Sequence, residues 1–249
     1  MRPDVIDLRE FYSTPVGQLA RRHLQQRIRA IWPNVVDQRL LGLGFATPYL
    51  RLFKDEAERV LALMPAAQGV IHWPPEGPSL TGLVEEGELP LPDASIDRVL
   101  LVHELENSEQ IGQTLREIWR VLAPGGRLLV VAPNRRGLWA RFEHTPFGHG
   151  HPFTGSQLTR LLREGMFLPT RTESALYWPP SHWRFLLRAA GPLERLGERY
   201  RLRFAGVLLV EAGKQIYAAT PERGRVRHRR FGSALQVRPA IGPARTMRP

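Results

Sequence analysis

The reading of the fold turns on residues 115–134, LREIWRVLAPGGRLLVVAPN. From about 109 to 122, Ile111, Leu115, Ile118, Trp119 and Leu122 fall on one side of a helix by their three- and four-residue spacing. APGG at 123–126 ends that helix, because proline cannot continue the hydrogen-bond ladder and glycine accepts the turn that must follow. RLLVVA at 127–132 is then a continuous apolar run, the pattern of a strand buried on both faces. A helix feeding such a strand is a unit of a parallel α/β sheet.

The pattern extends in both directions. DRVLLVHEL (97–105) is a second continuous apolar strand, RVLALM (59–64) and GVIHW (69–73) are shorter ones, and RLLGLG reads as a first strand over 37–43 running into a glycine bend. Thr47 with Pro48 opens a helix after that bend. Upstream, Thr14 caps and Pro15 starts an amphipathic helix with Val16, Ala20, Leu24, Ile28 and Ile31 inward. Downstream, Thr154 and Gln157 form a capping box and Gly165 a stop, followed by strands at 172–178 and 205–220 joined by a helix around 181–200. The expectation is a Rossmann-like, doubly wound, mostly parallel seven-stranded sheet with an antiparallel last strand. It would occupy 35–221, with a helical extension over 1–34 packed on it and a basic tail without an ordered core over 222–249.

Composition narrows the classes. The 249 residues are 43% hydrophobic, enough for a substantial core, and contain no cysteine, which excludes disulfides and thiolate metal sites. No apolar run approaches the ~18 residues of a membrane span, and the N-terminus lacks the order of a secretion signal, so a cytoplasmic protein is expected. The net charge of +11 is concentrated in eight arginines between 223 and 249, a stretch with no acid. That tail has one aromatic, Phe231, and no recognisable binding module, so nucleic acid is expected as a partner only through it, if at all.

Three pieces in order, GELPLPDASIDRVLLVHELEN (87–107), LREIWRVLAPGGRLLVVAPN (115–134) and HPFTGSQLTRLLREGMF (151–167), resemble class I S-adenosylmethionine-dependent methyltransferases of the methyltransferase type 11 kind. LLGLGFATP sits where that family has its first glycine motif, so the similarity covers roughly 35–170. The resemblance implies S-adenosylmethionine as cofactor and a small organic molecule as methyl acceptor. It implies a cofactor site at Gly42, Gly44, Ala46, Leu63, Glu85, Glu86 and Val102, where glycine lets backbone approach a ligand beyond the strand ends. The family's usual acids are missing from two of these places: Gly42 stands at the end of the first strand, and Leu63 or Met64 near the end of the second. Glu85, before LPLP, keeps an acid on the adenine side.

By the same resemblance, residues after strands four and five line the acceptor space. His103 is a candidate general base, or else a hydrogen-bonded residue at a strand end. Asn134, Arg135, His144, His149 and His151 are candidate acceptor-binding residues, the histidines lying in RFEHTPFGHGHPFT over the pocket. No metal is expected there, because proline and glycine interrupt the first gap and no second carboxylate lies near Glu143. Two functions remain in view: methyl transfer, and a methyltransferase-fold protein that acts as a binding or regulatory partner without catalysis.

Overall fold

A computed structural model describes residues 2–200 and 204–215. The basic tail lies outside the described residues. Asp4 starts the chain's first helix by accepting from the Ile6 N–H, and α1 runs Val5–Ser13. Thr14 ends α1 through its N–H to Phe11 and caps α2, Pro15–Ile31, by accepting from Gly17, with Pro15 in the first turn. The inward face of α2 is the one expected from spacing, whereas α1 is an additional helix whose short apolar set is Val5, Leu8 and Tyr12.

The elements that follow are β1 (Arg39–Gly44), α3 (Thr47–Leu50), β2 (Arg59–Pro65), β3 (Thr81–Val84), β4 (Ile96–Val102), α4 (Ile111–Val121) and β5 (Leu122–Pro133). After them come α5 (Gly155–Glu164), β6 (Phe167–Ala175), α6 (Arg184–Arg199) and β7 (Val207–Lys214). The strands form one sheet in the order β3-β2-β1-β4-β5-β7-β6. Neighbours from β3 to β5 pair in parallel, and β7 lies antiparallel to β5 and β6. This is the expected doubly wound sheet. The strand order reverses between β1 and β4, which places a ligand crevice beyond their carboxyl ends.

Alternation within the strands sends side chains to two cores. Leu100, Val102, Leu129 and Val131 pack towards α1 and α2, while Val99, Leu101, Leu128 and Val130 pack towards Leu115 and Ile118 of α4 and Leu158 and Leu162 of α5. One expected strand is absent: residues 69–73 are irregular, and Thr81–Val84 takes the position beside β2. The irregular segment is tied alongside instead, with the Leu80 N–H donating to Trp73 and the Thr81 hydroxyl to Ile71. Glu194 of α6 closes the far end of β6 by accepting from the N–H groups of Leu176 at 2.9 Å and Tyr177 at 2.8 Å.

Candidate functional site

The bend after β1 has the expected shape. Gly44 adopts φ +74°, and a Cβ there would overlap the carbonyl of Val102 and approach Glu104. At Gly42 a Cβ would fall 2.6 Å from Ala46 Cβ and from Leu50 Cδ1. Both glycines let chain meet chain, β1 against β4 and α3 against β1. Ala46 is buried against Gly42, and Val102 gives its carbonyl to the Phe45 N–H at 2.8 Å. Leu63 packs in the α4-side core beside Gly82. Of the seven positions expected around a cofactor, Glu85 is exposed and Glu86 alone stands at the crevice rim, 3.6 Å from the Arg2 guanidinium.

Beyond the ends of β1 and β4 the crevice is occupied by rings. Tyr12 of α1 stacks on Phe45 at 5.7 Å, meets Tyr49 edge-on at 6.0 Å, and lies 5.9 Å from His103, which in turn lies 4.7 Å from Phe147. These five side chains are buried. Their polar atoms form a chain: Tyr49 donates to the Tyr12 oxygen at 2.9 Å, Tyr12 is 2.8 Å from His103 Nε2, and His103 Nδ1 is 3.2 Å from Glu106 Oε1. A phenol oxygen both donates and accepts, so the Tyr12 hydroxyl can bridge Tyr49 and Nε2. With Tyr12 donating to Nε2, the ring proton is assigned to Nδ1, facing Glu106.

His103 therefore does not face open space in this arrangement. Both ring nitrogens are engaged, and its backbone sits at φ +55°, a strained conformation outside glycine that such bonds hold in place. Burial pushes the Tyr12 hydroxyl well above the usual phenol range, so it is a neutral donor.

A second tie fastens α1 from its N-terminal end. Arg2 donates to Glu104 Oε2 at 2.7 Å, with both side chains almost fully buried, and the Val5 N–H donates to the Gln68 carbonyl. Burial pushes the Glu104 carboxyl up from the usual range, with Arg2 opposing it. Around this tie several buried polar atoms lack partners: both amide atoms of Gln68, Oε2 of Glu106 and Oδ1 of Asn107. These residues stand on the loops that follow β2 and β4.

The residues expected at the acceptor divide. His144 and His149 line a cleft of about 330 Å³ with Leu8 and Phe11 of α1. His151 is exposed and contributes its backbone N–H to the Glu106 carbonyl. Asn134 is buried, donating to the Ala205 carbonyl and accepting from the Arg136 N–H, and Arg135 is exposed with Nε on the Pro152 carbonyl. Asn134 and Arg135 thus fasten the turn after β5 to its neighbours rather than lining the cleft. Among the described residues no group of three or more His, Asp and Glu side chains is arranged to hold a metal ion. Sequence reasoning missed Arg2, Tyr12, Tyr49 and Glu106. The signal available for Tyr12 was the apolar spacing of Val5, Leu8 and Tyr12.

Residues 41–130, from β1 to β5, match the family described as methyltransferase domain. Over 113 residues the chain is 36% identical to a demethylmenaquinone methyltransferase of Deinococcus radiodurans, covering 43% of this chain and 46% of that protein. Over 203 residues it is 29% identical to a demethylmenaquinone methyltransferase of Thermus thermophilus, covering 81% of this chain and 79% of that protein. The aligned part thus spans about half the length of the first relative and most of the second. The solved structure of a methyltransferase of Thermotoga maritima, described as a possible histamine N-methyltransferase, shares the fold with a TM-score of 0.58. That likeness covers 85% of this chain and 96% of the other at 16% identity.

Proposed function

We propose that this chain, a class I S-adenosylmethionine-dependent methyltransferase by its family match and fold, methylates a small organic acceptor of the quinone class named for its relatives. S-adenosylmethionine is the cofactor that the family indicates. The residues fit it on one condition, that α1 moves. With α1 in place, Tyr12 and Phe45 fill the crevice beyond β1 and β4. With α1 displaced, the Gln68 amide, Glu106 Oε2 and Asn107 Oδ1 become available to a polar ligand, with Glu86 at the rim. Those unpaired buried atoms are the observation that carries the reading, since each costs ~1–3 kcal/mol until something satisfies it.

When bound, the sulfonium supplies an activated methyl group, which leaves the protein to align the acceptor and keep water out. The first turns of α1 and the loop carrying His144 and His149 bound the acceptor cleft. Departure of Tyr12 frees His103 Nε2, while Glu106 keeps the proton on Nδ1 and the ring oriented. His103 would then take the proton from the acceptor hydroxyl as the ring carbon is methylated; that carbon's C–H proton is lost afterwards and the oxygen regains a proton, which restores the aromatic ring. No acid is needed to expel the leaving group. The protein is proposed to act in the cytoplasm; among the described residues no helix is long and apolar enough to cross a membrane.

The filled crevice supports a second reading, a methyltransferase-fold protein that binds a partner without transferring methyl groups. The two part company over release of α1. Arg2→Ala removes the buried tie to Glu104, and methyl transfer requires the cofactor and its demethylated product to bind this variant more tightly than the wild type. Equal failure of both proteins to bind at millimolar ligand supports the partner reading.

A further inference from the structure

α1 separates two clefts of opposite charge. On one side Asp7 lines the cleft shared with His144, and Glu10 the smaller one beside it. On the other side a cleft of about 480 Å³ opens between α1, α2 and the segment after β1, and no Asp or Glu lines it. Three guanidinium groups do: Arg9 from α1, Arg21 from α2 and Arg51 from the end of α3.

Arg2, Arg27, Arg29, Arg39, Arg98 and Arg120 each stand within salt-bridge distance of a carboxylate. Arg9, Arg21 and Arg51 form no such pair among the described residues. Nε of Arg21, one of the lining residues, is buried with no hydrogen-bond partner, a donor left unsatisfied. Pro48, Ile71 and Pro75 add apolar surface to the lining, together with the buried rings of Tyr12, Phe45 and Trp73.

We infer that this cleft is a binding site for an aryl carboxylate, its hydrocarbon body against the apolar lining and its carboxylate on Arg21 and Arg51. A planar guanidinium matches a carboxylate with two parallel N–H donors, and the apolar lining favours a hydrocarbon body over a hydrated ion. The site is distinct from the His144 cleft and does not rest on methyl transfer, so it is tested without the cofactor.

The probe is 2-naphthoate, titrated calorimetrically into the full chain, with its methyl ester and inorganic phosphate as controls. Saturable binding of 2-naphthoate is expected, with the ester and phosphate each at least tenfold weaker. Arg51→Gln changes an exposed residue and leaves folding intact. It should weaken 2-naphthoate by about 10- to 100-fold, the range of one charged hydrogen bond, and leave the ester unchanged. Arg21→Gln should do the same, with its melting curve recorded alongside. Absence of 2-naphthoate binding, equal affinity for acid and ester, phosphate binding as tightly as the acid, or unchanged affinity in Arg51→Gln would each overturn the assignment.

Discussion

The hydroxyl of Tyr12 stands 2.8 Å from Nε2 of His103, which fastens a helix outside the sheet to the residue that follows its central strand. Removing that hydroxyl leaves Nε2 buried without a donor and also takes away the acceptor of the Tyr49 proton. Tyr12→Phe should therefore lower stability by about 1–3 kcal/mol in denaturant titration, and α1 amides should exchange faster with solvent. Unchanged exchange in α1 would mean that the hydroxyl does not hold the helix.

Gly44→Val tests what the bend is for. Its side chain must overlap the Val102 carbonyl at a left-handed φ that a β-branched residue strongly disfavours. The variant should lose several kcal/mol or fail to fold, on the order of a severe core disruption. A variant with wild-type melting that had lost only cofactor affinity would return the glycine to a purely ligand-facing role.

Glu194 offers a test far from the crevice. Glu194→Ala leaves the Leu176 and Tyr177 N–H groups buried without an acceptor, at a cost of about 2–4 kcal/mol from two unsatisfied donors. Chemical denaturation gives the value. A loss below half a kcal/mol would show that other groups or water satisfy them.

Acid sensitivity should run partly through Asp97. The Arg39 guanidinium holds its carboxyl below the usual range, by hydrogen bonds at 2.9 and 3.1 Å. Because the folded value lies below the unfolded one, this stabilisation is complete above the ordinary carboxylate value of ~4 and is lost as pH falls through the folded one. The stability gap between wild type and Asp97→Asn should accordingly narrow between neutral pH and pH ~3. A gap independent of pH would remove Asp97 from the account.

The sheet was legible because its central strands are apolar on both faces and its helices keep one apolar stripe, so the periods of β4, α4, β5 and α5 all point to one architecture. Thr154 with Gln157 forms the capping box that its spacing implies. Two elements were not legible for physical reasons. GVIHW has a strand's composition but no partner edge, since the shorter TGLV pairs with β2 instead. The helix α1 is short and outwardly charged, with a stabilising contact, Tyr12 to His103, spanning 91 residues. The candidate site was read in its location and only partly in its residues. Gly42 and Gly44 mark the bend, but whether a glycine admits a ligand or a neighbouring strand depends on Val102 and Leu50, which sequence spacing does not bring to it.

On the proposed reading, α1 covers a crevice able to hold the cofactor. The most direct measurement of this is calorimetric titration of S-adenosylmethionine and S-adenosylhomocysteine into the wild type and Arg2→Ala. Saturable binding to both, at least tenfold tighter when the Arg2–Glu104 tie is gone, is the result this account predicts. No heat from either protein at millimolar ligand, or tighter binding to the wild type, would contradict it.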